Sequence, residues 1–238
     1  LLAIFCTPGR SVDPRAAYVR PGVPPPKQEK PKIIMTYWKA PPERVIAMVK
    51  EMAPEFELAF FDDDKTRTFL RTYYQDPVLQ RFNLYLQRKQ YAHAADLMRF
   101  CVLSILPGRN LYLDVKTVLK CPVSTWFPLE GDSVLATRSG AVGLCHIGIT
   151  GGPVEWSGWL AMVDRIMRTP PLLAKLAYHT HCLQFATRCA DDQVTWMREE
   201  CSERNCTQTK KDRYGLCCVV KGPDGDVVMH ARDSTYPY

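Results

Sequence analysis

The chain has 238 residues, 46% of them hydrophobic and 24% charged. That is enough for one sizeable core, and no run approaches the ~18 apolar residues that crossing a bilayer requires. The net charge of +6 belongs to the first 50 residues, where nine Lys/Arg face three Asp/Glu. Charge carried on an arm rather than on a folded face excludes a nucleic-acid-binding core and leaves an acidic protein or a lipid surface as what the arm could meet.

Residues 1–31 hold seven of the 19 prolines and read as an extended, Pro-rich basic arm. Its apolar opening, residues 1–6, is either a remnant of a signal or anchor segment or else a short buried strand or disordered end. The body follows from 32 to 238. Residues 32–38 (KIIMTYW) predict a buried strand. Residues 41–53 predict a helix that starts on prolines and carries Val45, Ile46, Met48, Val49 and Met52 at helical spacing. Residues 56–61 (FELAFF) predict a second strand, stopped by three aspartates. Helices are expected at 63–74 and 77–88, with Asp76-Pro77 opening the second, and a strongly apolar helix at 91–106, ended by Pro107-Gly108. A third strand is expected at 110–114 and others at 133–137 and 141–149. Residues 148–153 (GITGGP) read as a turn or as a loop lining an acceptor. Residues 155–204 read as mostly helical, with Asp191-Asp192 opening a helix that contains Trp196. The end of the chain predicts a β-hairpin around Gly222-Pro223-Asp224-Gly225.

Strand, helix, strand, helices, strand is the order of an α/β sheet with parallel crossovers, and such sheets bind ligands at the carboxyl ends of their strands. Trp38, the acids at 62–64 and Asp114 all fall there. Asp96 and Arg99, three apart on an otherwise apolar helix, share a face. They read either as a buried ion pair or as a pair aimed at a sugar or phosphate. Asp114 ends an apolar strand and is followed two residues later by Lys116.

Ten cysteines include no CxxC pair, and none is matched by a spaced His pair, so a structural zinc site is not expected. Six lie in the last third, beside the glycosylation tripeptide Asn205-Cys206-Thr207, which favours an oxidising, secretory compartment. Cys101 is expected to be a buried free thiol. His146 reads as a core histidine. His179 and His181 lie on different helix faces, and His230 ends the hairpin.

Together, KPKIIMTYWK (30–39, with Pro31 leading), FELAFFDDD (56–64) and YAHAADLMRFCVLSILPGRNLYLDVKTVL (91–119) resemble the glycosyltransferase family 32 type, over residues 31 to about 120. The resemblance implies a GT-A fold: a Rossmann-like mixed sheet flanked by helices, continued here by a C-terminal helical region and β-hairpin over 155–238. It implies that Trp38 contacts the nucleotide base, that Asp96 and Arg99 hold the donor sugar, and that Asp114 is the first acid of an Asp-x-Asp (DXD) motif. The chain departs from the family at Met35-Thr36, where His-Gln is usual, at the paired glycines before the third strand, and at Lys116, where the second acid binds Mn²⁺ or Mg²⁺. An ammonium there removes a ligand and repels the ion, so Mn²⁺ or Mg²⁺ bound at Asp114 alone would be weakly held. Two functions follow. One is a nucleotide-sugar-binding hexosyltransferase in which Asp114 and Lys116 serve the diphosphate, Lys116 neutralising the leaving charge. The other is an inactive glycosyltransferase-fold subunit, its arm docked on a protein partner in a larger assembly. The first suits a Golgi or ER lumen, the second an organelle assembly.

Overall fold

The computed structural model describes residues 13–37, 41–115, 117–139, 145–170, 194–202, 217–222 and 225–230. Apolar runs rich in β-branched and aromatic residues become strands, and the amphipathic stretches between them become their crossovers. β1 (Lys32–Thr36) leads through α2 (Glu43–Met52) to β2 (Glu57–Phe61). Three helices, α3 (Asp63–Tyr73), α4 (Asp76–Gln87) and α5 (Tyr91–Leu103), then lead to β3 (Arg109–Leu113). Ahead of them a five-residue helix, α1 (Pro14–Tyr18), is capped by the Asp13 carboxylate.

After β3 come β4 (Thr117–Leu119), β5 (Val134–Ser139), β6 (Cys145–Pro153), α6 (Gly158–Arg168), β7 (Val194–Ser202), β8 (Cys217–Gly222) and β9 (Gly225–His230). They form one mixed sheet in the order β2-β1-β3-β6-β5-β7-β8-β9-β4, flanked by helices. β2, β1 and β3 run parallel, β6 is antiparallel to β3 and β5, and β5 and β7 are parallel again. Central strands are buried on both faces, as crossovers on both sides require. Ile33, Met35, Leu111 and Leu113 pack with Val45 and Val49 of α2. Ile34, Tyr112, Val134 and Ala136 point the other way, into the layer built by α3, α4, α5 and α6. No described helix is long and apolar enough to cross a membrane.

Residues 19–31 run over this body and are pinned to it. Val19 bridges Tyr74, the Arg20 amide donates to Tyr73 O at 2.9 Å, and the Arg20 guanidinium pairs with Asp76 at 2.5 Å. Farther on, Asn110 Oδ1 accepts from Gln28 Nε2 at 2.9 Å and from the Lys32 amide at 2.8 Å, while its Nδ2 donates to Leu106 O and Pro107 O. A buried amide with every site used ties the segment to β3. The helical turn at 14–18 was not expected in an extended arm. Asp13 followed by Pro14 is a cap-and-first-turn pair, and Tyr18 anchors the turn by donating to Asp164 of α6 at 2.9 Å.

Three other segments differ from the sequence expectation. Residues 148–153 are the interior and end of β6, not a turn or loop. Their glycines permit close strand contact: a Cβ on Gly151 would lie 2.6 Å from Asn110 O and 2.9 Å from Leu111 Cα. Gly151→Ala is therefore expected to lower stability by about 1–3 kcal/mol, read as a lower urea midpoint at unchanged slope; an unchanged midpoint would mean that β3 and β6 are not in this contact. Residues 194–202, expected helical and containing Trp196, are strand β7. Val194, Thr195 and Trp196 favour a pleated surface, and the segment pairs with β5 and β8 along its length. Asp191-Asp192, His179 and His181 lie outside the described residues. The short strand β4 was not anticipated. The hairpin at the chain's end is β8–β9, as expected.

Candidate functional site

From β1 the chain crosses to β2 on one side and, through α3, α4 and α5, returns to β3 on the other. The crevice beyond the carboxyl ends of β1 and β3 is thus the topological switch point, the place where open α/β sheets take ligands. Thr36 is the last residue of β1, and Asp114 is the first after β3. Tyr112, two residues before Asp114, points to the same face of the sheet.

These groups are joined in one line. The Tyr112 hydroxyl lies 3.0 Å from Thr36 Oγ1 and donates to Asp114 Oδ1 at 3.1 Å. Because an ionised carboxylate only accepts, the tyrosine's single proton is committed to Asp114 and Thr36 donates to the phenol oxygen. Burial holds the Tyr112 hydroxyl above the ordinary tyrosine range; Arg99 opposes this and the Asp114 charge adds to it. The phenol therefore remains a donor at neutral pH.

Arg99 reaches down from α5 over this line. Its guanidinium carbon is 4.2 Å from the centroid of the Tyr112 ring, a cation–π contact. Nη2 lies 3.1 Å from Asp96 Oδ1 and 3.5 Å from Asp114 Oδ1. The side chains of Asp96 and Arg99 are 3% and 5% exposed, and that of Asp114 is 19% exposed. Asp96 and Arg99 are thus a buried ion pair, and Asp114 is the member of the cluster that meets solvent. Two carboxylates share one guanidinium.

The structure therefore brings together Asp96, Arg99 and Asp114 among the residues singled out in sequence. Trp38 and Lys116 lie outside the described residues. The acids after β2 stand at the same edge but serve α3. Asp62 caps it by accepting from the Lys65 amide at 2.8 Å, and Asp64 pairs with Arg67 at 2.8 Å. Asp63 is raised above the usual carboxylate range by burial, with Arg67 opposing. Thr36 and Tyr112 were missed as site residues, although the i, i+2 spacing of Tyr112 and Asp114 at a strand end already put both on one face.

The chain turns sharply after Asp114. Its amide donates to Gly148 O, and its carbonyl accepts from the Thr117 amide, both at 2.8 Å. β4 then pairs with β9, in a register that sets Thr117 opposite His230. Among the described residues no three His, Cys, Asp or Glu come together to hold a metal ion. Asp114 Oδ1 is also shared by Tyr112 and Arg99.

No protein-family model and no curated protein matches the chain. Some solved structures align with part of the chain. A glycosyltransferase involved in the glycosylation of the major capsid of PBCV-1 aligns over 71% of this chain and 82% of its own, at 11% identity and TM-score 0.39. The glycosyltransferase GlyE of Streptococcus pneumoniae TIGR4 aligns over 71% of this chain at 14% identity and TM-score 0.39. Its apo form gives 13% and 0.41. The chain spans 45% of each GlyE structure.

Proposed function

We propose that the chain binds a nucleotide-sugar at the carboxyl ends of β1 and β3 and transfers its hexose to an acceptor. The observation that carries this reading is the buried Asp96–Arg99–Tyr112–Asp114 cluster at the switch point, with a single carboxylate reaching solvent. Such a carboxylate accepts from sugar or ribose hydroxyls. The almost fully buried Asp96 and Arg99 act through it, holding it in place rather than touching the donor. The resemblance to family 32 in the same residues supports the reading and assigns Trp38 to the base. A diphosphate calls for a cation to face it, and Lys116, two residues beyond Asp114, is the cation that the sequence supplies there.

The test is a calorimetric titration of the folded protein with UDP- and GDP-sugars, first with Mn²⁺ and then with EDTA. Binding is expected to survive EDTA and to weaken at least tenfold in Lys116→Ala. Binding only with Mn²⁺ would overturn the role given to Lys116. No binding by a sample whose circular dichroism is native would favour the other reading, an inactive glycosyltransferase-fold subunit whose basic N-terminal segment holds a protein partner.

A further inference from the structure

Antiparallel β7 and β8 set Cys201 directly opposite Cys218 and Ser202 opposite Cys217. Residues directly opposite across an antiparallel pair share a face and stand about 4.5–5.5 Å apart at Cα, within the range of about 4.4–6.8 Å that a disulfide spans. The adjacent alternative fails on the same geometry. Cys217 is one residue along the strand, hence on the opposite face from Cys201, and Cβ vectors that diverge cannot be bridged without moving the backbone. Two further cysteines with described side chains, Cys101 and Cys121, are free, and Cys101 is fully buried in the helical layer.

We propose that Cys201 and Cys218 form a cross-strand disulfide. It forms by exchange with a small-molecule disulfide such as glutathione disulfide. One cysteine thiolate attacks, giving a mixed disulfide and one glutathione thiolate; the second cysteine thiolate then displaces the other glutathione. Two protein thiols are oxidised, one glutathione disulfide is reduced, and the two protons lost from the cysteines end on the released glutathiones.

The position gives the bond a task. Cys218 is also the register partner of His230 in β9, and His230 is the partner of Thr117 in β4. One row of residues thus runs from β7 across the hairpin to β4, and the Thr117 amide donates to the carbonyl of Asp114. A covalent link at the β7 end fastens the hairpin that seats the chain just beyond the switch point. This holds whether or not a nucleotide-sugar binds there.

The full chain, equilibrated in an oxidising glutathione buffer, is alkylated in denaturant and cut with trypsin without reductant. The expected product joins peptide 199–204 to peptide 214–221, with fragmentation placing the bond on Cys218 and the alkyl group on Cys217. The melting temperature is expected to fall by about 5–10 °C on adding dithiothreitol. Cys201→Ser is expected to show the same fall and no further response to reductant, and the Cys201→Ser/Cys218→Ser pair repeats this without an odd thiol. Alkylation of both Cys201 and Cys218, a bond to Cys217 or Cys206 instead, or thiols protected until a chelator is added would each overturn the proposal, the last in favour of a thiolate metal site.

Discussion

Arg99→Leu is expected to destabilise the fold by about 3–5 kcal/mol, the usual cost of removing one partner from a buried ion pair. Leucine keeps most of the volume and the apolar stem, so the loss is electrostatic. The Asp96 side chain, 3% exposed, keeps its carboxylate in the core without the guanidinium 3.1 Å away. Asp114, 19% exposed, can turn to water and contributes less. The Tyr112 ring loses the cation over its face.

The sign of the pH dependence separates this from a packing defect. A buried carboxylate that loses a guanidinium partner binds its proton more readily folded than unfolded, so the variant loses stability as pH rises and regains it as pH falls toward the ordinary carboxylate range. The gap between wild type and Arg99→Leu in urea unfolding is therefore expected to narrow between pH 7 and pH 4. A cavity or a clash gives a gap that pH does not move. Replacing both members, Asp96→Leu with Arg99→Leu, is expected to recover much of the loss, because the Asp96 charge is then not left in the core without the guanidinium. A single-variant loss below about 1 kcal/mol would mean that water reaches the cluster and that the pair is not sealed.

What was legible in the sequence follows from how local each signal was. β1, β2 and β3 are short runs of Ile, Phe and Leu bounded by prolines and aspartates, and α5 is too long and too apolar to be anything but a buried helix. Each carries its own period and its own stops, so the parallel half of the sheet could be read directly. The charge pair on α5 was visible because 13 residues of helix make Asp96 and Arg99 conspicuous. That the pair is buried could not be read from α5 alone, because it depends on the packing of α5 on β1, β3 and α6.

The misses have a common cause in contacts between segments far apart in the chain. Gly151 looks like a turn residue until β3 lies against it, at which point its missing side chain is what lets the strands approach. β7 carries Arg198, Glu199 and Glu200, a composition that suits an exposed helix, and pairing with β5 and β8 overrides it. β4 is three residues long and exists because β9 arrives beside it. Tyr112 was passed over because an aromatic in a central strand is normally core. It is core, and its hydroxyl also does the orienting of Asp114.

The largest effect on the proposed activity is expected from Lys116→Asp, which puts two acids at Asp-x-Asp spacing after β3. The described cluster already carries two carboxylates against one guanidinium. The substitution removes a positive charge and adds a negative one where the diphosphate is proposed to lie. Two unit charges 4 Å apart at an effective dielectric of 20 interact by about 4 kcal/mol, and every 1.4 kcal/mol is tenfold in affinity. With solvent screening at the rim, donor affinity in EDTA is expected to fall roughly 10²-fold. Added Mn²⁺ is expected to restore it in the variant and to leave the wild type unchanged, since paired carboxylates can hold the ion and an aspartate beside a lysine cannot. The readout is the calorimetric dissociation constant in each condition, with circular dichroism to show that both proteins are folded. Equal affinity of variant and wild type in EDTA would place Lys116 away from the diphosphate. A weakened variant that Mn²⁺ fails to rescue would keep Lys116 at the phosphates, but would show that the turn after β3, tied to Gly148 and Thr117, does not let two acids converge on one ion.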